Sequence, residues 1–304
     1  MTRGARGALV LVLALLVGFG CGGDDSNRPV RTLIAFTQTG LTGRRGEVWI
    51  ARVDGTARRR LVRGVWPAVS PDGRWIAFHR CGEFHCDLYL VPASGGTARP
   101  LARRADSPQW APTSDRIVAS RSVTSRETAL VSVDAEGSRE VELVRGVFYG
   151  WSISPSGDEV VYARAGASSP ERFTGAHIDL FVIGIEGGEP RRLTDDGRSG
   201  FPVWGPDTIA FARLLPYRGW GRHEIWRIEP DGEGRRPVTG RLPKRLLGSG
   251  ITGLIPVAWS SDGRALVASW ANEFGGPPYA VDPQTGAIRK IGDFGFSAIP
   301  AFTP

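Results

Sequence analysis

A strand motif that recurs along the chain constrains its fold more than any other feature. Its apolar start returns at intervals of 41 to 57 residues, a spacing typical of repeat architectures. Before it stands a short strand ending in a turn, as in PAVSPDG (Pro67–Gly73), and after it come an alternating strand, as in DLYLVPASG (Asp87–Gly95), and a final short strand. The six apolar starts lie at Ile34, Ile76, Ile117, Val160, Ile209 and Leu266.

Alternating apolar residues bounded by Asp-Gly turns are typical of antiparallel strands joined by hairpins. One four-stranded sheet cannot bury both of its faces, so neighbouring sheets must stack on it. The pattern therefore predicts an all-β fold, a six-bladed β-propeller of four-stranded antiparallel blades spanning residues 32–304. A length of 304 residues is compatible with one such domain.

The two ends of the repeat predict how the ring closes. The chain enters blade one at its second strand, without a preceding first strand. The segment Pro300–Pro304 resembles that missing strand, and Phe302 falls where Trp110 and Trp204 stand in their copies. We therefore expect the C-terminal strand to complete blade one and close the propeller.

The N-terminal residues predict export. Arg3 and Arg6 precede an apolar run that is too short to span a bilayer, so residues 1–20 are interpreted as a signal peptide. Cys21 then opens a polar segment, 21–31, typical of a lipidated cysteine on a flexible tether. Simple cleavage after Gly20 is the alternative. Both alternatives place the protein in the cell envelope, as a membrane-anchored lipoprotein, or in the periplasm or outside the cell.

Two further cysteines, Cys81 and Cys86, flank a predicted hairpin loop. In an oxidising compartment such a pair is expected to form a local disulfide. A zinc site that includes the nearby His79 and His85 is the alternative.

The repeat pieces P-x-W-S-P-D-G, I-A-F, D-L-Y-L-x-x-x-x-G and R-x-L-T resemble the TolB-like propeller repeat of bacterial envelope proteins. The resemblance covers residues 32–304 and implies the propeller fold. It does not extend to the α/β domain that precedes the propeller in TolB, so it does not imply a Tol–Pal role.

Long insertions predict the binding face. In a propeller, the loops between second and third strands share one face with the connections between blades. The long loops fall there, and loops on a rigid scaffold commonly carry binding residues. Arginine and aromatic side chains on this face suit recognition of an envelope protein or an anionic cell-envelope polymer. The candidate residues are Arg80, Arg121, Arg164, Arg213, Arg172, Tyr217, Arg218, Trp220 and Arg222.

Four of these arginines share one register, four residues after the strand start: Arg80, Arg121, Arg164 and Arg213. They form either an anion-binding ring or structural ion pairs with the acids that open the next strands, Asp87, Asp179 and Glu224.

No hydrolase elbow, phosphate loop or pair of metal-binding hooks occurs in the sequence, so we expect a monomeric, non-catalytic binding scaffold without a cofactor. The net charge of +7 would suit nucleic acid, but export argues against that partner. The alternative is a metal-dependent, lactonase- or lyase-like propeller enzyme with a site at the channel mouth. His85, His177 and His223, each just before a third strand, are its candidate ligands.

Overall fold

The computed structural model describes residues 9–10, 33–39, 46–52, 56–124, 127–166, 177–215, 222–240, 253–260, 262–270 and 278–291. Every regular element in these ranges is a β-strand, and the strands form four-stranded sheets. The expected all-β class and the antiparallel four-strand repeat are therefore confirmed. Within the same ranges, no helix has the length and apolar character needed to cross a membrane.

Each sheet is made of four strands that follow one another in the chain. The first contains β1 (Leu9–Val10), β2 (Leu33–Thr39), β3 (Gly46–Arg52) and β4 (Arg59–Arg63). The second contains β5 (Val65–Val69), β6 (Trp75–Cys81), β7 (Cys86–Pro92) and β8 (Arg99–Ala102). The third contains β9 (Ala105–Trp110), β10 (Arg116–Ser122), β11 (Thr128–Asp134) and β12 (Glu140–Gly146).

The remaining sheets follow the same order. The fourth contains β13 (Phe148–Ile153), β14 (Glu159–Ala165), β15 (Ile178–Gly184) and β16 (Arg191–Arg192). The fifth contains β17 (Ser199–Trp204), β18 (Ile209–Leu215), β19 (Arg222–Ile228) and β20 (Arg236–Pro237). The sixth contains β21 (Leu254–Trp259), β22 (Leu266–Trp270), β23 (Tyr279–Val281) and β24 (Ile288–Lys290).

The chain divides into two compact units. The first comprises residues 1–122 and 133–140, and the second comprises residues 123–132 and 141–304. In the first unit, apolar side chains of the first two sheets pack into a core that includes Ile76 and Phe78. In the second, Phe211 belongs to a core shared by the fourth and fifth sheets.

The second strand of a repeat is buried on both of its faces, as residues 76–79 of β6 and 160–163 of β14 show. This explains why the apolar starts IAF and VVY lack alternation, since both faces of the sheet are covered.

The first strand carries a bulge that the sequence did not predict. Trp66, Ser107 and Phe201 adopt positive φ there, each directly before a proline.

The edge of the first sheet differs from the expectation. Its first strand is β1, where Leu9 lies opposite Gln38 and Val10 opposite Thr37. The C-terminal strand Pro300–Pro304, predicted to occupy this edge, lies outside the described residues. So do residues 11–32, which include Cys21 and the predicted tether.

Candidate functional site

A hairpin closed by a disulfide ends the β6–β7 pair of the second sheet. Cys81 and Cys86 lie opposite each other in register, and their sulfur atoms are bonded. Inside the loop, the Gly82 N–H donates to the His85 carbonyl at 2.8 Å. Phe84 at the tip is 89% exposed. Sequence reasoning missed Phe84 as a candidate, although an aromatic residue between two cysteines at a hairpin tip was a readable signal.

His79 lies on β6 near the disulfide and is 5% exposed. Burial lowers its pKa to about 4, against an opposing effect of Asp106, so its imidazole is neutral at pH 7. Within the described ranges, the one group with three potential metal ligands consists of His79, Cys81 and Cys86. Metal binding requires thiolates. Since both sulfurs are held in the disulfide, this group is not a zinc site in the state that the structure shows.

Three of the four arginines in the predicted ring lie over aromatic rings of the third strand. The distances from guanidinium carbon to ring centroid are 4.6 Å for Arg80 on Tyr89, 4.8 Å for Arg164 on Phe181 and 4.3 Å for Arg213 on Trp226. The strand register explains the contact. Each arginine is directly opposite an acid, and the aromatic residue two positions further lies diagonally on the same face.

Arg121 has a different partner. Val131 stands where the other sheets have an aromatic residue, and the Arg121 guanidinium binds both carboxylate oxygens of Glu140. Its Nε also donates to the Arg103 carbonyl at 3.3 Å. The four arginines are thus held by contacts within their own units, which favours a positioning role over four open charges.

The acids expected to pair with these arginines have other partners. Asp87 accepts the backbone N–H of Arg104 at 2.8 Å. Glu224 accepts the Trp226 Nε1–H at 3.4 Å.

Asp179 is buried on β15 and forms an ion pair with Arg192, with 2.7 Å between Arg192 Nη2 and Asp179 Oδ2. Its Oδ1 also accepts the Thr194 hydroxyl and the Gly197 N–H, each at 3.0 Å. Arg213 forms an ion pair with Asp196, at 3.0 Å, instead of with the acid opposite.

The three candidate metal-binding histidines do not occupy equivalent positions. His85 and His177 are exposed and precede their third strands. His223 lies within β19, is 6% exposed, and takes the register position that Ile178 holds in the fourth sheet. Burial lowers the pKa of His223 to about 4. That the protein is a metal-dependent enzyme with these histidines as ligands remains a prediction, and metal analysis of the purified protein tests it.

Part of the predicted binding face lies outside the described residues, namely Arg172, Tyr217, Arg218 and Trp220. Arg222 is described by its backbone, as the first residue of β19. The role of these residues stays a prediction.

No protein-family model matches the chain. An uncharacterised protein of Agrobacterium fabrum is 25% identical over 209 residues, which are 64% of this chain and 71% of that protein. A dipeptidyl-peptidase 5 of Porphyromonas endodontalis is 34% identical over 119 residues. That match spans 39% of this chain and 15% of the peptidase, so it concerns only a small part of the larger protein.

Solved structures with similar folds are β-propellers. The propeller domain of the trilobed protease from Pyrococcus furiosus, described as having an open velcro topology, matches 86% of this chain and 79% of its own at 16% identity, with a TM-score of 0.59. A putative TolB from Agrobacterium tumefaciens matches 67% and 76% at 17% identity, with a TM-score of 0.51. An oligogalacturonate lyase from Vibrio parahaemolyticus matches 74% and 63% at 17% identity, with a TM-score of 0.54. The chain therefore has a TolB-like propeller fold. At these identities the likeness is one of fold alone, and the fold serves binding proteins and enzymes.

Proposed function

We propose that this protein is a non-catalytic scaffold of the bacterial cell envelope. It binds a partner protein through the loop ends of its sheets, meaning the ends that carry the loops between second and third strands. An anionic cell-envelope polymer is the alternative partner. The observation that carries the proposal is Phe84, displayed at the tip of a covalently closed hairpin.

Phe84 has the properties of a binding anchor. Large apolar side chains with high exposure are few in the described ranges, and after Phe84 at 89% the next are Val147 at 45% and Ile291 at 44%. The disulfide and the Gly82–His85 hydrogen bond restrict the loop before any partner arrives. A rigid aromatic residue loses little conformational entropy on binding, so burial of its ring is converted efficiently into affinity.

The surroundings of the hairpin contain more arginines than acids, the acids being Glu83 in the loop and Asp87 directly after it. Arg80, at the base of the loop, donates from Nε at 3.0 Å to the carbonyl of Arg63, the last residue of β4 in the first sheet, so Arg63 also lies near this end of the second sheet. Arg103 and Arg104, exposed and directly before β9, add positive charge near Asp87. An apolar anchor with a cationic rim fits a partner that has an apolar pocket bordered by acids.

A photo-crosslinking experiment in native envelopes tests this proposal. Benzoylphenylalanine replaces Phe84 in one variant and Glu136, an exposed residue in the β11–β12 turn, in the control. We expect a discrete protein adduct from position 84 alone, suppressed by excess purified wild-type protein and not by F84A. Equal adducts from both positions, or equal competition by F84A, would refute the proposal. An adduct with polymer would replace the protein partner by the alternative.

The compartment is part of the proposal. An N-terminal signal peptide and a lipidated Cys21 would place the scaffold on a membrane surface, which suits a partner in the envelope. Mass spectrometry of the mature N-terminus is expected to find acyl chains on Cys21, and C21S is expected to release the protein into the soluble fraction. A mature chain without acyl chains would exclude the anchor.

We also propose that the sheets form a six-bladed ring closed by the strand Pro300–Pro304. The resemblance of this segment to the first strands of the other repeats supports it. The competing occupant of that edge is β1, within the predicted signal peptide. Removal of residues 297–304 is then expected to lower the melting temperature sharply, whereas removal of residues 1–20 is not. The opposite pattern would identify β1 as the edge strand.

A further inference from the structure

An arginine at the start of the fourth strand connects several sheets to the next. Arg59 donates to the Ala93 carbonyl, and Arg99 donates to the carbonyls of Ala135 and, at 3.0 Å, Glu136. Arg191 donates to the Pro230 carbonyl at 2.9 Å. In each case the acceptor lies in the turn between the third and fourth strands of the following sheet. This position therefore has a structural role in the first, second and fourth sheets.

The fifth sheet departs from this rule. Its arginine at this position is Arg236, and the residue directly opposite on the third strand is Arg227. In the first, second, fourth and sixth sheets the corresponding residues are uncharged: Ile50, Leu90, Val182 and Ala280. Like charges directly opposite each other on neighbouring strands are destabilising. Burial, together with the charge of Arg236, lowers the pKa of Arg227.

Arg227 is also an arginine of the fifth sheet that contacts the following sheet. Its Nη2 lies 3.4 Å from Oε1 of Gln284, in the β23–β24 turn. The Nε–H of Arg227 is buried and has no hydrogen-bond partner in the part of the chain that the structure describes. A buried donor that is left without an acceptor is costly, so this part of Arg227 is not stabilised by the residues that the structure describes.

A cleft of about 660 Å³ opens at this point, between turns of the fifth and sixth sheets. Such a volume is in the range of small-molecule sites. The residues that line it include both arginines, a glutamine and residues with apolar rings: Arg227, Arg236, Gln284, Trp259, Pro230 and Pro283.

We infer that this cleft binds the carboxylate of a small molecule with an apolar body. Two neighbouring guanidiniums match the two oxygens of a carboxylate and would relieve the repulsion between Arg227 and Arg236. Trp259 and the prolines provide apolar contact for the body of the ligand. Four acids also line the cleft, Asp207, Glu229, Asp231 and Asp262. They outnumber the two arginines, so they repel any anion that Arg227 and Arg236 do not hold directly, and they repel phosphate more strongly than a carboxylate.

This site is independent of the proposed scaffold function. It belongs to the turn ends of the fifth and sixth sheets, whereas Phe84 lies at the loop end of the second sheet. Loss of either property leaves the other testable.

Isothermal titration calorimetry with N-acetylphenylalanine, its amide and inorganic phosphate tests the inference on the full chain. The matched control for R227Q and R236Q is R289Q, because Arg289 has the register of Arg236 but faces Ala280 and does not line the cleft. We expect the carboxylate to bind wild type and R289Q equally, and each of R227Q and R236Q to weaken it at least tenfold. The amide should bind at least tenfold more weakly than the acid.

A stability measurement separates loss of binding from loss of folding. Without ligand, R227Q is expected to melt at or above the wild-type temperature, because the substitution removes a like-charge contact. The inference is overturned if the acid does not bind wild type, if the amide binds as well as the acid, or if R227Q and R236Q bind as wild type does. Tighter binding of phosphate than of the carboxylate would overturn the assigned ligand class.

Discussion

Replacement of His223 by isoleucine should remove a defined part of the acid sensitivity of the protein. His223 is 6% exposed, and burial lowers its pKa from 6.5 to about 4. Its register equivalent in the fourth sheet is Ile178, which is buried to a similar extent. Isoleucine is thus already accommodated at this position of the repeat.

The sign and size of this change in the free energy of unfolding follow from proton linkage. Because the pKa of His223 is lower in the folded state, the unfolded chain binds the proton first as the pH falls below 6.5. The stability that the neutral His223 contributes is complete above pH 6.5 and is lost progressively as the pH falls toward 4. Between pH 8 and pH 5 this single group costs the wild type about 2 kcal/mol, at 1.36 kcal/mol for each pKa unit. His223→Ile should not incur this loss.

Urea unfolding followed by tryptophan fluorescence at pH 8 and pH 5 measures the effect. The free energy of unfolding of His223→Ile, relative to wild type, is expected to rise by about 2 kcal/mol from pH 8 to pH 5. Ile178→Val is the matched control and should cost about 1 kcal/mol at both pH values. If wild type and His223→Ile lose the same stability between the two pH values, the imidazole is not held neutral by burial and the reasoning fails.

Three further substitutions test the packing. Tyr162→Phe should raise the free energy of unfolding by about 1 kcal/mol, because the Tyr162 hydroxyl is buried without a hydrogen-bond partner in the described part of the chain; a lower melting temperature would show that it has one. Trp226→Leu should lower the free energy of unfolding in urea by about 2 kcal/mol, through lost burial and the lost contact with Arg213. In an Arg213→Gln background the same substitution should cost about 1 kcal/mol less, and an unchanged cost would show that the two side chains are uncoupled. Gly286→Ala should melt well below Gly73→Ala, since both glycines have φ of 70° but a Cβ at Gly286 would lie 2.3 Å from the Val238 carbonyl oxygen whereas Gly73 has open space; equal melting temperatures would contradict the clash.

The sequence alone determined the class of fold and the repeat unit. Hydrophobic alternation and Asp-Gly turns depend on interactions within a few residues, so Asp87–Gly95 and Pro67–Gly73 indicate strands and turns without knowledge of the rest. The disulfide loop was readable for the same reason, because Cys81 and Cys86 are close in the chain. The bulge at Trp66, Ser107 and Phe201 was not readable, since only pairing with the next strand shows the shift in register.

The tertiary structure decided what each charged side chain contacts. From the sequence, Arg80 and Arg164 belonged either to an anion-binding ring or to ion pairs with the acids opposite them. In the structure their guanidiniums lie over the rings of Tyr89 and Phe181 on the diagonal. Likewise, Arg227 and Arg236 are unremarkable in the linear sequence. Register brings the two together, and a cleft opens beside them. Local pattern specifies backbone pairing, whereas the partner of a long, flexible side chain depends on distances that exist only after the sheets have packed.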